Sequence, residues 1–158
     1  ARIVRPGTDL TLVATSHMVL EAIRAAEWMD QEGISVEVID PRTLKPLDVN
    51  TILSSIRKTG RLVVADTGWE FAGFSAEITA MAATEAFDDL KAPPRRVALP
   101  DVPTPASPEL VKGFYPTARK LACEIMNVMA PNGKEFQLDS DANQIPVDKP
   151  DSEFCGPF

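Results

Sequence analysis

The chain has little of what catalytic and metal sites are usually built from. It carries one histidine, two cysteines and one tyrosine in 158 residues. Cys123 and Cys155 are too few for a disulfide framework, and no cysteine–histidine cluster has metal-ligand spacing. A reducing compartment, such as the cytoplasm, is therefore expected. No serine sits in a Gly-x-Ser-x-Gly elbow. No pair of carboxylates suggests glycoside or proton-transfer chemistry. Nor does any apolar run approach the roughly 20 residues that cross a bilayer, so no membrane partner is expected. Lysine and arginine (16) are outnumbered by aspartate and glutamate (23), giving a net charge of −7. That argues against a nucleic-acid partner, which requires a basic face. A basic-then-apolar leader is also missing, and the chain opens at Ala1 rather than at a methionine. This reads as a fragment or a processed product.

What is present is a rhythm. Short β-branched runs alternate four times with amphipathic helical stretches between Asp9 and Ala130. Leu10–Ala14 reads as a buried strand, with Thr15 or Ser16 as the cap of the helix after it. Val19, Ala22, Ile23, Ala26 and Met29 make that helix's apolar stripe, and Gly33 ends it. Ile34, Val36 and Val38 alternate with Ser35 and Glu37, which predicts a strand with one less buried face. Asp48 caps a second helix striped by Val49, Ile52, Leu53 and Ile56, and Gly60 closes it. Leu62–Ala65 is apolar throughout and suits a central strand. Ser75 is expected to cap a third helix. A strand around Val97–Leu99 and a helix opening at Pro116–Thr117 complete the pattern. Strands separated by helices predict an α/β fold: a three-layer α/β/α sandwich with a mainly parallel sheet over residues 1–130. Residues 131–158 hold six acids and two bases and show little periodicity, so they read as a polar acidic tail, extended or disordered.

In such sheets ligands and partners meet the loops at the carboxyl ends of the strands. Three of those loops hold candidate groups. His17 opens the first helix and reads either as an acid/base or phosphate contact or as an ordinary first-turn residue. Arg42 and Lys45 lie in a loop stiffened by Pro41 and Pro46. They either recognise a carboxylate or phosphate or form a salt bridge to Asp40 or Asp48. Gly68-Trp69-Glu70-Phe71-Ala72-Gly73-Phe74-Ser75 has the glycine spacing of a phosphate loop, but Phe74 stands where its lysine belongs. Gly73 is then a turn residue, and Trp69 and Phe71 are core residues or interface anchors, with the loop end favouring an interface. Glu21, Glu27, Asp88 and Asp89 read as solvated faces, and the five methionines as core filler.

Taken together, Ile39-Asp40-Pro41-Arg42-Thr43-Leu44-Lys45-Pro46-Leu47-Asp48, Lys58–Val64, Gly73–Ile78 and Asp101-Val102-Pro103-Thr104-Pro105 resemble one family. It is the C-terminal domain of transketolase-like, thiamine-diphosphate-dependent enzymes, and most of all the beta subunit of the decarboxylating component of 2-oxo acid dehydrogenase complexes. The likeness covers residues 1 to about 130 in order and spacing. It implies a longer subunit whose N-terminal pyrimidine-binding domain, absent here, carries the glutamate that activates the cofactor. It also implies thiamine diphosphate and magnesium held by an alpha subunit in the parent enzyme, and no cofactor, metal or catalytic residue in this piece. The implied partners are the alpha subunit, a second beta subunit in a homodimer of this domain, and the subunit-binding domain of the acyltransferase core. Arg42, Lys45, Trp69 and Phe71 are the expected interface residues. Two alternatives share the domain or the loops: a transketolase or deoxyxylulose-phosphate-synthase-type enzyme, and a stand-alone small-molecule or nucleotide-binding module around His17 and Gly68. The chain departs from the family in having Asp66-Thr67 where an acidic pair is common, and in its long tail.

Overall fold

A computed structural model describes residues 1–111 and 113–130. The acidic tail lies outside them. The elements are β1 (Arg2–Arg5), β2 (Leu10–Ala14), α1 (Met18–Gln31), β3 (Val36–Asp40), α2 (Val49–Thr59), β4 (Leu62–Trp69), α3 (Phe74–Glu85), β5 (Arg95–Leu99), α4 (Pro108–Val111) and α5 (Ala118–Met129). The sheet has the order β1-β3-β2-β4-β5; β1 runs antiparallel to β3 and the other pairings are parallel.

Alternation along the strands sends side chains to two faces, and each face has its own core. Leu10, Leu12, Val36, Val38, Val63 and Ala65 pack with α1 and α5. Val13, Ile39, Leu62 and Val64 pack with Ile52, Leu53 and Ile56 of α2 and Ile78 and Ala82 of α3. The result is the three-layer sandwich expected from the rhythm. Each fully buried Leu or Ile here contributes about 1.5–3 kcal/mol, so the two cores dominate the stability.

Local chemistry explains where most helices begin and end. Asp48 accepts the backbone N–H of Thr51 at 3.1 Å and caps α2, which closes at Gly60 in left-handed geometry (φ 73°). Thr117 caps α5 through the N–H of Lys120. Two expected caps are corrected. The N-cap of α1 is His17, whose side chain makes no capping bond to the helix; backbone carbonyls of Thr15, Ser16 and His17 take the first N–H groups. The N-cap of α3 is Gly73, and Ser75 lies wholly buried as the second residue of the helix.

Four further readings change. Arg2–Arg5 is an edge strand rather than a lead-in. Strand β4 runs on to Trp69, so the expected Gly68–Ser75 loop begins inside it. Glu37 is 1% exposed rather than facing solvent. Its carboxylate accepts Lys58 Nζ and the N–H of Gly7 (3.3 Å), tying the segment after β1 to α2. Glu21 is also buried: it bonds Arg24 at 2.9 Å, and its other oxygen takes the N–H of Ala118, so a carboxylate from α1 caps α5.

Candidate functional site

The parallel strands end together, and their carboxyl ends carry the loops that hold every candidate group. At the centre β2 and β4 lie side by side, with β2 leading to α1 on one face and β4 to α3 on the other. This is the crevice position of an open α/β sheet. Thr15 spans it. Its N–H donates to the carbonyl of Ala65 (3.2 Å) and its hydroxyl to Asp66 Oδ1 (2.9 Å). The same oxygen accepts the N–H of Gly68 (3.1 Å). Asp66 is 94% buried by its 6% exposure, and its Oδ2 has no partner among the described residues. A Cβ at Gly68 would lie 2.9 Å from that oxygen, so the backbone itself closes over it. His17 stands beside this crossing, at the mouth of α1.

On one side of the crossing is an aromatic surface. Trp69 is 59% exposed, Phe71 78% and Val102 50%. Their loops are fastened rather than loose. Glu70 N–H donates to the carbonyl of Leu99 (2.8 Å), and Phe71 N–H donates to Asp101 Oδ1 (3.3 Å). Arg96 reaches over to the carbonyl of Glu70 (2.6 Å). At the turn, a Cβ on Gly73 would meet the carbonyl oxygen of Trp69 at 2.0 Å, so only glycine fits. The glycine spacing of this loop thus has a steric cause, and Arg96, a cation that reaches it, is engaged with Glu70 (3.8 Å). Trp69 and Phe71 are surface residues, which resolves the choice between core and surface. Large exposed apolar groups gathered in one place mark contact surfaces.

On the other side, after β3, is the basic loop. Arg42 takes left-handed geometry (φ 64°). Its N–H and its guanidinium both bond the Asp40 carboxylate, at 2.9 and 3.2 Å. Of the two readings, the staple to Asp40 is realised, while about half of the Arg42 side-chain surface stays exposed. Thr43 braces the loop through the carbonyl of Pro46 (2.7 Å), and Lys45 is exposed. The basic loop and the aromatic surface flank the Thr15–His17 turn, on strands about 10 Å apart. The structure therefore gathers Trp69 with Phe71 and holds Arg42 and Lys45 apart from them.

Sequence reasoning missed Thr15, Asp66 and Arg96 as organisers of the rim. A threonine ending one parallel strand and an aspartate ending its neighbour is a signal too common to single them out. Among the described residues no three of His, Cys, Asp or Glu come close enough to hold a metal ion. The donor set at this rim does not make up a magnesium–diphosphate cradle, and no step through such a group is assigned to it.

The family model for the C-terminal domain of transketolase matches residues 1–121. This chain belongs to that family. Among curated relatives, the pyruvate dehydrogenase E1 component subunit beta of Rickettsia bellii is 45% identical over 117 residues, covering 74% of this chain and 36% of that one. The mitochondrial subunit of the same name from Dictyostelium discoideum is 44% identical over 110 residues (70% and 31%). The acetoin:2,6-dichlorophenolindophenol oxidoreductase subunit beta of Cupriavidus necator is 40% identical over 129 residues (82% and 38%). The chain thus spans about a third of the length of these relatives. A solved structure titled a split gene transketolase, inactive beta4 tetramer, superposes with a TM-score of 0.71 at 27% identity, covering 81% of this chain and 41% of that one.

Proposed function

We propose that this domain is the assembly and partner-docking part of a thiamine-diphosphate-dependent 2-oxo acid dehydrogenase beta subunit. The parent enzyme decarboxylates a 2-oxo acid and passes the acyl group to a lipoyl arm. Thiamine diphosphate and magnesium sit with the parent's other modules, and this chain contributes surfaces. Its partners are an alpha subunit, a second beta subunit and the subunit-binding domain of an acyltransferase core. The setting is the cytoplasm of a bacterium or the mitochondrial matrix of a eukaryote. Among the described residues no helix is long and apolar enough to cross a membrane.

The observation that carries this reading is the exposure of Trp69 and Phe71 on a loop pinned at both ends. A rigid loop that presents aromatic rings to water gains free energy when another surface covers them. Both edge strands carry arginines (Arg2 and Arg5 on β1, Arg95 and Arg96 on β5), which disfavours growth of the sheet by strand addition and leaves the loop rim as the contact surface. Two of the relatives, at 45% and 44% identity, are beta subunits of pyruvate dehydrogenase, which favours this reading over a transketolase.

Phe71→Asp tests the assignment, because Phe71 is 78% exposed and its loss removes little from either core. The variant should melt within a few degrees of the parent chain yet associate more weakly in sedimentation velocity. Unchanged association would overturn the docking role. Calorimetric titration with thiamine diphosphate and Mg2+ tests the division of labour: no binding is expected at micromolar concentrations, and micromolar affinity would contradict it.

A further inference from the structure

We draw no further inference here: the strongest candidate, the open groove between β1 and α2 lined by Ile3, Asn50, Ser54 and the Glu37–Lys58 pair, is a half-exposed face, and nothing in the structure shows what covers it.

Discussion

The hydroxyl of Thr15 donates to Asp66 Oδ1 across the two central strands at 2.9 Å, and this one bond joins the loops on either side of the sheet's crossing point. The acceptor is a buried carboxylate with a second oxygen that has no partner among the described residues, so each remaining bond to it matters. Thr15→Val keeps the shape and removes the donor. We expect it to lower the unfolding free energy by about 1–3 kcal/mol, the range for a bond to a charged buried group. Thr15→Ser should recover most of that. Urea denaturation of the two variants checks it, and a loss in Thr15→Ser with none in Thr15→Val would show that the methyl group, not the hydroxyl, is what counts.

Glu37 gives the fold an acid limb. Burial pushes its carboxyl up, but Lys58, the Ser55 hydroxyl and the Gly7 N–H together outweigh burial and hold it below the ordinary value. A depressed folded-state value means that the stabilisation is complete above the ordinary glutamate value, near 4.3. It is lost as pH falls through the folded-state value. Lys58→Met leaves the carboxylate buried without its cation. The expected cost at pH 7 is about 1–3 kcal/mol, less than for a fully buried pair because the Lys58 side chain is 46% exposed. Urea midpoints measured from pH 3 to pH 7 should show a shallower acid limb in the variant. An unchanged limb would place the acid sensitivity elsewhere.

Asp48 adds to the same limb from the surface. Its carboxyl is lowered, first by the Thr51 hydroxyl, with further help from the Thr51 N–H. Its contribution is complete above the ordinary aspartate value, near 3.9, and disappears as pH falls through the folded-state value. Asp48→Asn keeps a capping oxygen but cannot titrate. Its stability should therefore be flatter than the parent's below pH 4, as read by far-ultraviolet circular dichroism.

The aromatic turn is set by two adjacent small residues with opposite responses to substitution. Ala72 sits in the left-handed region (φ 54°), where glycine is free of steric cost. Ala72→Gly should stabilise the chain by up to about 1 kcal/mol. Gly73→Ala should destabilise it by about 1–3 kcal/mol, since its methyl would meet the Trp69 carbonyl. Melting temperatures of the two variants should move in opposite directions.

Much of the fold was legible because its determinants are local. The stripes of α1, α2 and α5 and the apolar runs of β2 and β4 repeat at the period of their elements, and Asp48, Gly60 and Thr117 act on residues three or four positions away. What stayed hidden depends on distant chain. β1 is four residues long and is defined by pairing with β3, more than thirty positions on. Glu21 and Glu37 look like surface acids until Ala118 and Lys58 arrive from elsewhere in the fold. Thr15 looks like a helix cap until Asp66 is beside it. For the rim, the sequence singled out Trp69, Phe71, Arg42 and Lys45 by loop position and residue type. Whether the rings face water, and which acid holds Arg42, follow from neighbours that only the folded chain supplies.

The central claim is that the aromatic rim exists to be covered by another chain. Trp69→Ala is its most direct test, read as paired association constants and melting temperatures from sedimentation equilibrium and calorimetry. With Trp69 59% exposed, the account predicts association weakened by roughly tenfold or more, the effect of losing a central contact residue worth at least about 1.4 kcal/mol, with a melting temperature shifted by only a few degrees. Unaltered association together with a large fall in melting temperature would contradict it and make Trp69 part of the core.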